Sequence, residues 1–199
     1  LENTMNIIGI DTETTGVTDN DDILQIAAIK IDPDTWDITE RFVSLVKPRA
    51  PITPAAELIH GISYEMVKNA PRIEDVLNSS RLKVLIDEAD IVFGHNISFD
   101  LRFIGPELFH DKKVLDTLRL TRVAWPLLKS HRLQSLVQHL GLPSRPAHDA
   151  LGDIESCVDV LKLFKNSGSS IEDLLSGQEF LKHRTLLAVR KLAAQRNTL

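Results

Sequence analysis

A single cysteine, Cys157, stands in 199 residues, so no internal disulfide forms and no Cys/His zinc spacing is available. Any bound metal is therefore expected to be held by oxygen. Also missing is an apolar run near the ~20 residues a membrane span needs. No basic-then-apolar leader opens the chain either, and these two absences together predict a cytoplasmic protein without membrane contact. Nor is there an excess of positive charge. The net charge is −5, which argues against gripping a polyanion by bulk electrostatics. The average conceals an asymmetry: from Leu181 onward there are five basic residues (Lys182, Arg184, Arg190, Lys191, Arg196) and no acidic ones, leaving 18 basic against 28 acidic before them. Leu1 begins the chain and Met5 precedes the first strand, so a vector remnant and a piece of a longer protein are both open, and residues 1–4 are left out of the fold reasoning.

What is present is 43 % hydrophobic sequence, enough to bury one substantial core. Ile7 to Ile10 is an apolar strand that ends by presenting Asp11 and Glu13 before the polar turn Thr14-Thr15-Gly16. In an extended strand these two carboxylates share one face, with Cα atoms roughly 6.5–7 Å apart, while Ile8 and Ile10 point the other way. Ile23 to Ile31 reads as a buried strand and Asp37 to Lys47 as its return, giving an antiparallel meander. The acidic turn Asp19, Asp21, Asp22 lacks the glycine and distant glutamate of an EF-hand loop and reads as a solvated turn.

Thr53-Pro54 begins a helix that His60-Gly61-Ile62 ends, and Ser63 is placed to cap a second short turn. Apolar positions at 73, 76, 77, 84 and 85 predict one amphipathic helix over residues 73–88. Ile91 to Gly94 is a short buried strand leading to a helix that Ser98 is placed to cap. Asp100 falls in its first turn, where the helix dipole favours a carboxylate. Another short strand at Val114-Leu115-Asp116-Thr117 precedes helices to Trp125 and from Arg132 to His139. Finally Ile154, Val158, Leu161 and Phe164 mark a helix that carries Asp153, with His148 in the loop before it. Asn166 to Ser170 reads as a linker, Ser170 with Asp173 as a capping box, and residues 179–195 as a basic amphipathic helix. Strands alternating with helices after a leading meander predict an α/β domain with a mixed sheet.

Three stretches carry a resemblance. Asp11-Thr12-Glu13-Thr14-Thr15-Gly16, His95-Asn96-Ile97-Ser98-Phe99-Asp100 and His148-Asp149-Ala150-Leu151-Gly152-Asp153 resemble, in order, the three motifs of the DnaQ-like, or DEDDh, 3′–5′ exonucleases. His60-Gly61-Ile62 is similar to a further signature of that family. The resemblance covers residues 6–165 and implies an RNase H-like fold there, while composition and charge set off a linker at 166–170 and a basic helical extension at 171–199. It also implies hydrolysis of phosphodiester bonds from a 3′ end, releasing nucleoside 5′-monophosphates.

By that resemblance Asp11, Glu13, Asp100 and Asp153 hold two divalent cations, Mg²⁺ or Mn²⁺, and His148 is the general base. Thr14, Thr15, Gly61, Ile62, Asn96 and Phe99 are the implied substrate contacts, with Ile62 against the terminal base. Arg122, Lys129, His131, Arg132 and Arg145 are candidates for phosphate contacts. The expected partner is a single-stranded or frayed 3′ end of DNA, with RNA trimming as an alternative. Proofreading and repair roles are both open. A further alternative is a module docked to a polymerase or another assembly through residues 171–199. Gln25 stands where many relatives carry glutamate, with little consequence expected because it is not among the metal ligands. Gly152 weakens the start of its helix and is expected to leave the His148 loop mobile until substrate binds.

Overall fold

The computed structural model describes residues 5–178. Five strands form one mixed sheet in the order β3-β2-β1-β4-β5: β1 (Ile7–Thr14), β2 (Ile23–Ile31), β3 (Ile38–Leu45), β4 (Ile91–Gly94) and β5 (Lys113–Asp116). The first three make the expected antiparallel meander, and β4 and β5 add in parallel. Strand alternation sorts the core into two layers. Ile8 and Ile10 face a cluster that includes Leu82, Leu85 and Ile86. Ile7, on the other face, joins Phe93, Ile154 and Phe164. Helices α1 (Pro54–His60), α2 (Tyr64–Val67), α3 (Ile73–Leu77), α4 (Ser80–Glu88), α5 (Ser98–Ile104), α6 (Thr117–Ala124), α7 (Leu133–His139), α8 (Ala150–Asn166) and α9 (Ile171–Gly177) complete the described fold. Among the described residues, no helix is long and apolar enough to cross a membrane.

The face of β1 that ends in Asp11 and Glu13 is covered by α8, and Gly9 makes that approach possible. A Cβ at Gly9 would lie 2.5 Å from the Phe93 ring, 2.8 Å from Ile154 and 2.9 Å from Ile29, all side chains of the packed core. Overpacking of this kind costs about 1–3 kcal/mol. Gly9→Ala is therefore expected to lower stability by that amount in urea titration and to weaken activity as α8 is pushed back. A stability change under roughly 0.5 kcal/mol would mean that α8 yields freely.

Two local expectations are corrected. The single helix over 73–88 is broken at Asn78-Ser79, where the side chains bond backward to the backbone: Asn78 Nδ2 donates to the Glu74 carbonyl (2.8 Å) and Ser79 Oγ to that of Val76 (2.6 Å). Such bonds compete with helix continuation. The buried stripe of α4 is consequently Leu82, Leu85 and Ile86, and Val84 is exposed. Ser98 does not cap α5. Asn96 takes a left-handed turn (φ 61°), its N–H donates to the Asp116 carboxylate (2.9 Å), and Ile97 occupies the cap position.

After α8 the chain turns tightly, with the Ser167 N–H donating to the Leu163 and Phe164 carbonyls. Ser170 and Asp173 then cap α9 reciprocally. Ile171 and Leu174 enter the larger core cluster, and the Gln178 amide pairs with the edge of β5 through the Val114 carbonyl (2.9 Å) and Asp116 N–H (3.0 Å). The basic helix expected after residue 178 lies outside the described residues.

Candidate active site

Four carboxylates from three segments meet at the end of β1 that leads into the Thr14-Thr15 turn. Asp11 and Glu13 come from β1, Asp100 from the first turn of α5 and Asp153 from the first turn of α8. Thr12 holds Asp100 in place: its N–H and Oγ both donate to Asp100 Oδ1, at 2.8 and 2.7 Å. Gln134 of α7 donates to Asp153 Oδ1 at 2.8 Å. Glu13, Asp153 and His148 each offer a ligand atom within 4.8 Å of the others. Asp11 and Asp100 stand outside that tight group but within electrostatic reach: Asp100 raises the pKa of both Asp11 and Glu13, and Asp153 and Glu13 raise that of Asp11.

His148 is exposed and sits in a left-handed conformation (φ 58°) just before α8. The loop folds closely over the first helical turn because position 152 is glycine, where a Cβ would lie 3.1 Å from the Pro146 carbonyl. Asp149 caps α8 by accepting from the Gly152 N–H at 3.1 Å. Gln25 reaches across from β2 to clamp the same loop, its Nε2 donating to Asp149 Oδ1 and its Oε1 accepting from the Ala150 N–H, each at 3.0 Å. Gln25 thus has a structural connection that its absence from the ligand set did not reveal.

The substrate contacts named from the sequence divide. A cleft of ≈ 970 Å³ is lined by Asp11, His148 and Asp153 on one side and by Arg122, Lys129 and Arg132 on another, with Asn96 and Ile59 also on its wall. Ile62 does not face it. Its side chain is buried with Leu24 and Val67, while Ile59, one turn back on α1, is 57 % exposed and lines the cleft. His60 sets this orientation. Its Nδ1 accepts from the Ile62 N–H (3.0 Å), which leaves Nε2 to donate to the Thr14 carbonyl (3.2 Å), and Gly61 closes α1 at φ 71°.

Thr15 is fully buried, with its N–H on the Asp22 carbonyl and its own carbonyl accepting from the Thr53 N–H, so its backbone shapes the turn. Thr14 is buried too, and its hydroxyl donates to the Gly16 carbonyl. Phe99 packs against Phe103 with the rings tilted by 52° (centroids 4.9 Å), and the Arg102 guanidinium lies 5.3 Å from its centroid. Arg145 does not reach the cleft, being paired with Glu155 (3.1 Å) and Asp159 (2.6 Å). The acidic turn holds itself together, Asp21 accepting from Thr18 and Asp22 from the Arg49 and Ala50 N–H groups.

An exonuclease family model, RNase_T, matches residues 8–161 of this chain. The chain belongs to that exonuclease family. It is 37 % identical over 158 residues to a DNA polymerase III subunit epsilon-like protein of Rhodobacter capsulatus and 37 % identical over 161 residues to the 3′-5′ exonuclease DinG of Bacillus subtilis, covering 75 % and 77 % of this chain. It spans only 22 % and 17 % of those proteins, but 72 % of the DNA polymerase III subunit epsilon of Treponema pallidum, to which it is 31 % identical over 75 % of its own length. A solved structure of Exonuclease X in complex with 5′ overhanging duplex DNA superposes with a TM-score of 0.71 at 28 % identity, covering 86 % of this chain and 99 % of that one. The fold is accordingly RNase H-like, and residues 8–161 form a DnaQ-like domain of the exonuclease family.

The electrostatics of this exonuclease domain follow from crowding acids in a partly dry cleft. Burial, joined by repulsion from Asp153, Asp100 and Asp149, pushes Glu13 up to about 8. Burial likewise raises Asp100 to about 7 against the opposing hydrogen bonds from Thr12. Asp11 is raised well above the carboxylate range by burial and then by Asp100, Asp153 and Glu13; Asp153 is raised chiefly by burial. An oxygen-rich donor set whose charged form is this unfavourable on its own fits hard divalent cations. His95 also borders the cleft, but its ring is held by the Thr117 hydroxyl (2.9 Å) and the His131 carbonyl (2.8 Å), and burial lowers its pKa.

Proposed function

We propose that this chain is a metal-dependent 3′–5′ exonuclease that releases nucleoside 5′-monophosphates from nucleic acid, with DNA the favoured substrate. The observation that carries the reading is the convergence of Asp11, Glu13, Asp100 and Asp153 from separate segments, with His148 beside Glu13 and Asp153. The four carboxylates are the ligands for two Mg²⁺ or Mn²⁺ ions, which when bound would stabilise the attacking and leaving oxygens of an in-line displacement. His148 takes the proton of the attacking water, a role suited to an imidazole that is exposed at the cleft beside Glu13 and Asp153. Arg122, Lys129 and Arg132 make no ion pair among the described residues and would meet the phosphates of the strand that enters. That wall offsets locally the repulsion a polyanion feels from a chain of net charge −5. Ile59, exposed on α1, replaces Ile62 as the apolar contact for the terminal base.

Digestion of 5′-labelled and 3′-labelled single-stranded DNA, duplex, mismatched duplex and RNA, with Mg²⁺, Mn²⁺ or a chelator, tests the reading. Monophosphate release from the 3′ label, lost on chelation, is expected. Release from the 5′ end, or turnover indifferent to chelator, would overturn it. His148→Ala is expected to lower kcat at neutral pH by roughly 10²–10⁴-fold, the usual share of a general base. A loss of only a few-fold would remove His148 from that role.

A second reading, in which the domain serves a larger assembly, draws on the polymerase III relatives. Truncation after Gln178 discriminates the two. Lost partner binding with intact hydrolysis favours docking through the extension, whereas lost affinity for DNA makes the extension a phosphate-binding arm.

A further inference from the structure

We propose that Gln25 is a positioning residue for His148, and that the amide at position 25 and the carboxylate at position 149 form a polarity-matched clamp that sets where the imidazole stands. The inference rests on the reading of His148 as general base. His148 is exposed, so packing does not fix it, and its backbone is left-handed, a conformation a non-glycine residue keeps only when its surroundings impose it. Two contacts impose it: the His148 N–H donates to the Asp153 carboxylate, and immediately C-terminal the Gln25 amide takes hold of the next two residues at once.

The orientation of that amide is not ambiguous. The Ala150 N–H can only donate, so Oε1 must face it, and Nε2 must face Asp149 Oδ1; both contacts are 3.0 Å. The second Asp149 oxygen caps α8 at the Gly152 N–H. A sheet side chain is thereby tied to the loop and to the helix bearing Asp153. Gln25 is also the cross-strand partner of Glu13, so the clamp refers the position of His148 to the strand that carries Asp11 and Glu13.

The choice of amide over carboxylate follows. A glutamate at 25 would accept from Ala150 but would set its other oxygen against Asp149, with Glu13 opposite it on β1. An asparagine at 149 would still cap α8, since asparagine and aspartate cap about equally, but its NH₂ would meet the Gln25 NH₂. Each single change leaves two like groups facing. The exchange of both, Gln25→Glu with Asp149→Asn, restores one donor and one acceptor, keeps the cap and leaves the net charge unchanged. Gln25→Met breaks the clamp with no charge added.

The experiment measures kcat, KM and melting temperature for Gln25→Met, Gln25→Glu, Asp149→Asn, the double exchange and His148→Ala. The substrate is a 3′-labelled single-stranded oligodeoxynucleotide with Mn²⁺ or Mg²⁺, between pH 6 and 9. Gln25→Met and Gln25→Glu are each expected to lower kcat by about 10- to 100-fold, the scale of a catalytic group displaced by about 1 Å, with KM changed only a few-fold. The double exchange is expected to recover kcat to within a few-fold of the parent. Adding Gln25→Met to His148→Ala is expected to cost little more, because the group being positioned is already gone.

An active Gln25→Met, a double exchange no better than Gln25→Glu, or full additivity with His148→Ala would each overturn the clamp while leaving the wider reading standing, provided His148→Ala itself is inactive. If His148→Ala keeps parental activity, the general-base reading fails and takes the clamp's purpose with it. A melting temperature that falls in every variant without the kcat pattern would reduce Gln25 to a structural bond.

Discussion

Asp11→Asn is expected to abolish turnover, by roughly three orders of magnitude or more at pH 8, on the scale of losing a central charge-stabilising group, while making the metal-free protein harder to melt. The two effects have one cause. Burial holds the Asp11 carboxyl far above its ordinary range, and Asp100, Asp153 and Glu13 add to the penalty on its charged form. An amide of the same shape carries no charge to repel, so the folded state gains at pH values where the parent is forced to ionise its cleft. The same amide, uncharged, would be a poorer ligand for a hard cation than the carboxylate. The active constellation is thus a destabilising feature that the rest of the fold tolerates, with Ile7 and Ile10 fully buried on either face of the same strand. Steady-state hydrolysis and thermal melting in chelator at pH 8 check both halves. Retained metal-dependent hydrolysis would remove Asp11 from the ligand set, and a lower melting temperature would show that its carboxylate is satisfied without metal.

Much of this was legible from strand periodicity and short-range order. Alternation alone put Asp11 and Glu13 on one face and Ile8 and Ile10 on the other, because the period of an extended chain is fixed by covalent geometry. The helix-start position of Asp100 and the loop position of His148 were equally local. What was hidden is contact at long separation: Thr12 with Asp100 is a pairing across 88 residues, and Gln25 with Asp149 across 124. No composition or spacing rule encodes such pairs. Gln25 was marked by its departure from the commoner glutamate, yet its meaning lay in a partner that only the fold supplies.

The exchange of Ile62 for Ile59 has a different origin. Ile59 is on α1, whereas Ile62 lies beyond the left-handed turn at Gly61, so the turn and not the helix period aims its side chain. Which face meets the cleft is decided by His60 bonding to the Thr14 carbonyl, a tertiary contact. The break at Asn78-Ser79 was hidden for a third reason, since the apolar spacing outweighed two polar residues whose side chains prefer the backbone.

Metal-free protein is expected to lose stability as pH rises from 6.5 to 8, and divalent cation is expected to return it. Glu13 rises from 4.5 unfolded to about 8 folded, and Asp100 from 3.8 to about 7. For a carboxyl whose pKa is raised by folding, the native state binds the proton more tightly than the unfolded chain does. Its favourable contribution is therefore complete below the unfolded value and is lost as pH climbs through the folded one. At roughly 1.4 kcal/mol per pKa unit the part of this lost between pH 6.5 and 8 is at most about 2–3 kcal/mol, and less because the acids share their repulsion. His60 and His95 run in the opposite sense. Their pKa values are lowered from 6.5, chiefly by burial, so they favour the folded state above 6.5 and cost stability only as pH falls below it. The window from 6.5 to 8 accordingly isolates the carboxylates. Cations compete with protons for the same oxygens, so Mn²⁺ should raise the melting temperature more at pH 8 than at pH 5.5, and its binding near pH 7 should release protons into a weakly buffered solution. Glu13→Gln supplies the control, because it removes the group that titrates at the top of the window and should flatten the apo profile between 7 and 8. An apo melting temperature that does not fall across this range, or an equal metal effect at both pH values, would mean that the cleft is already neutralised within the protein. The assignment of Glu13, Asp11, Asp100 and Asp153 as a cation site would then lose its electrostatic basis.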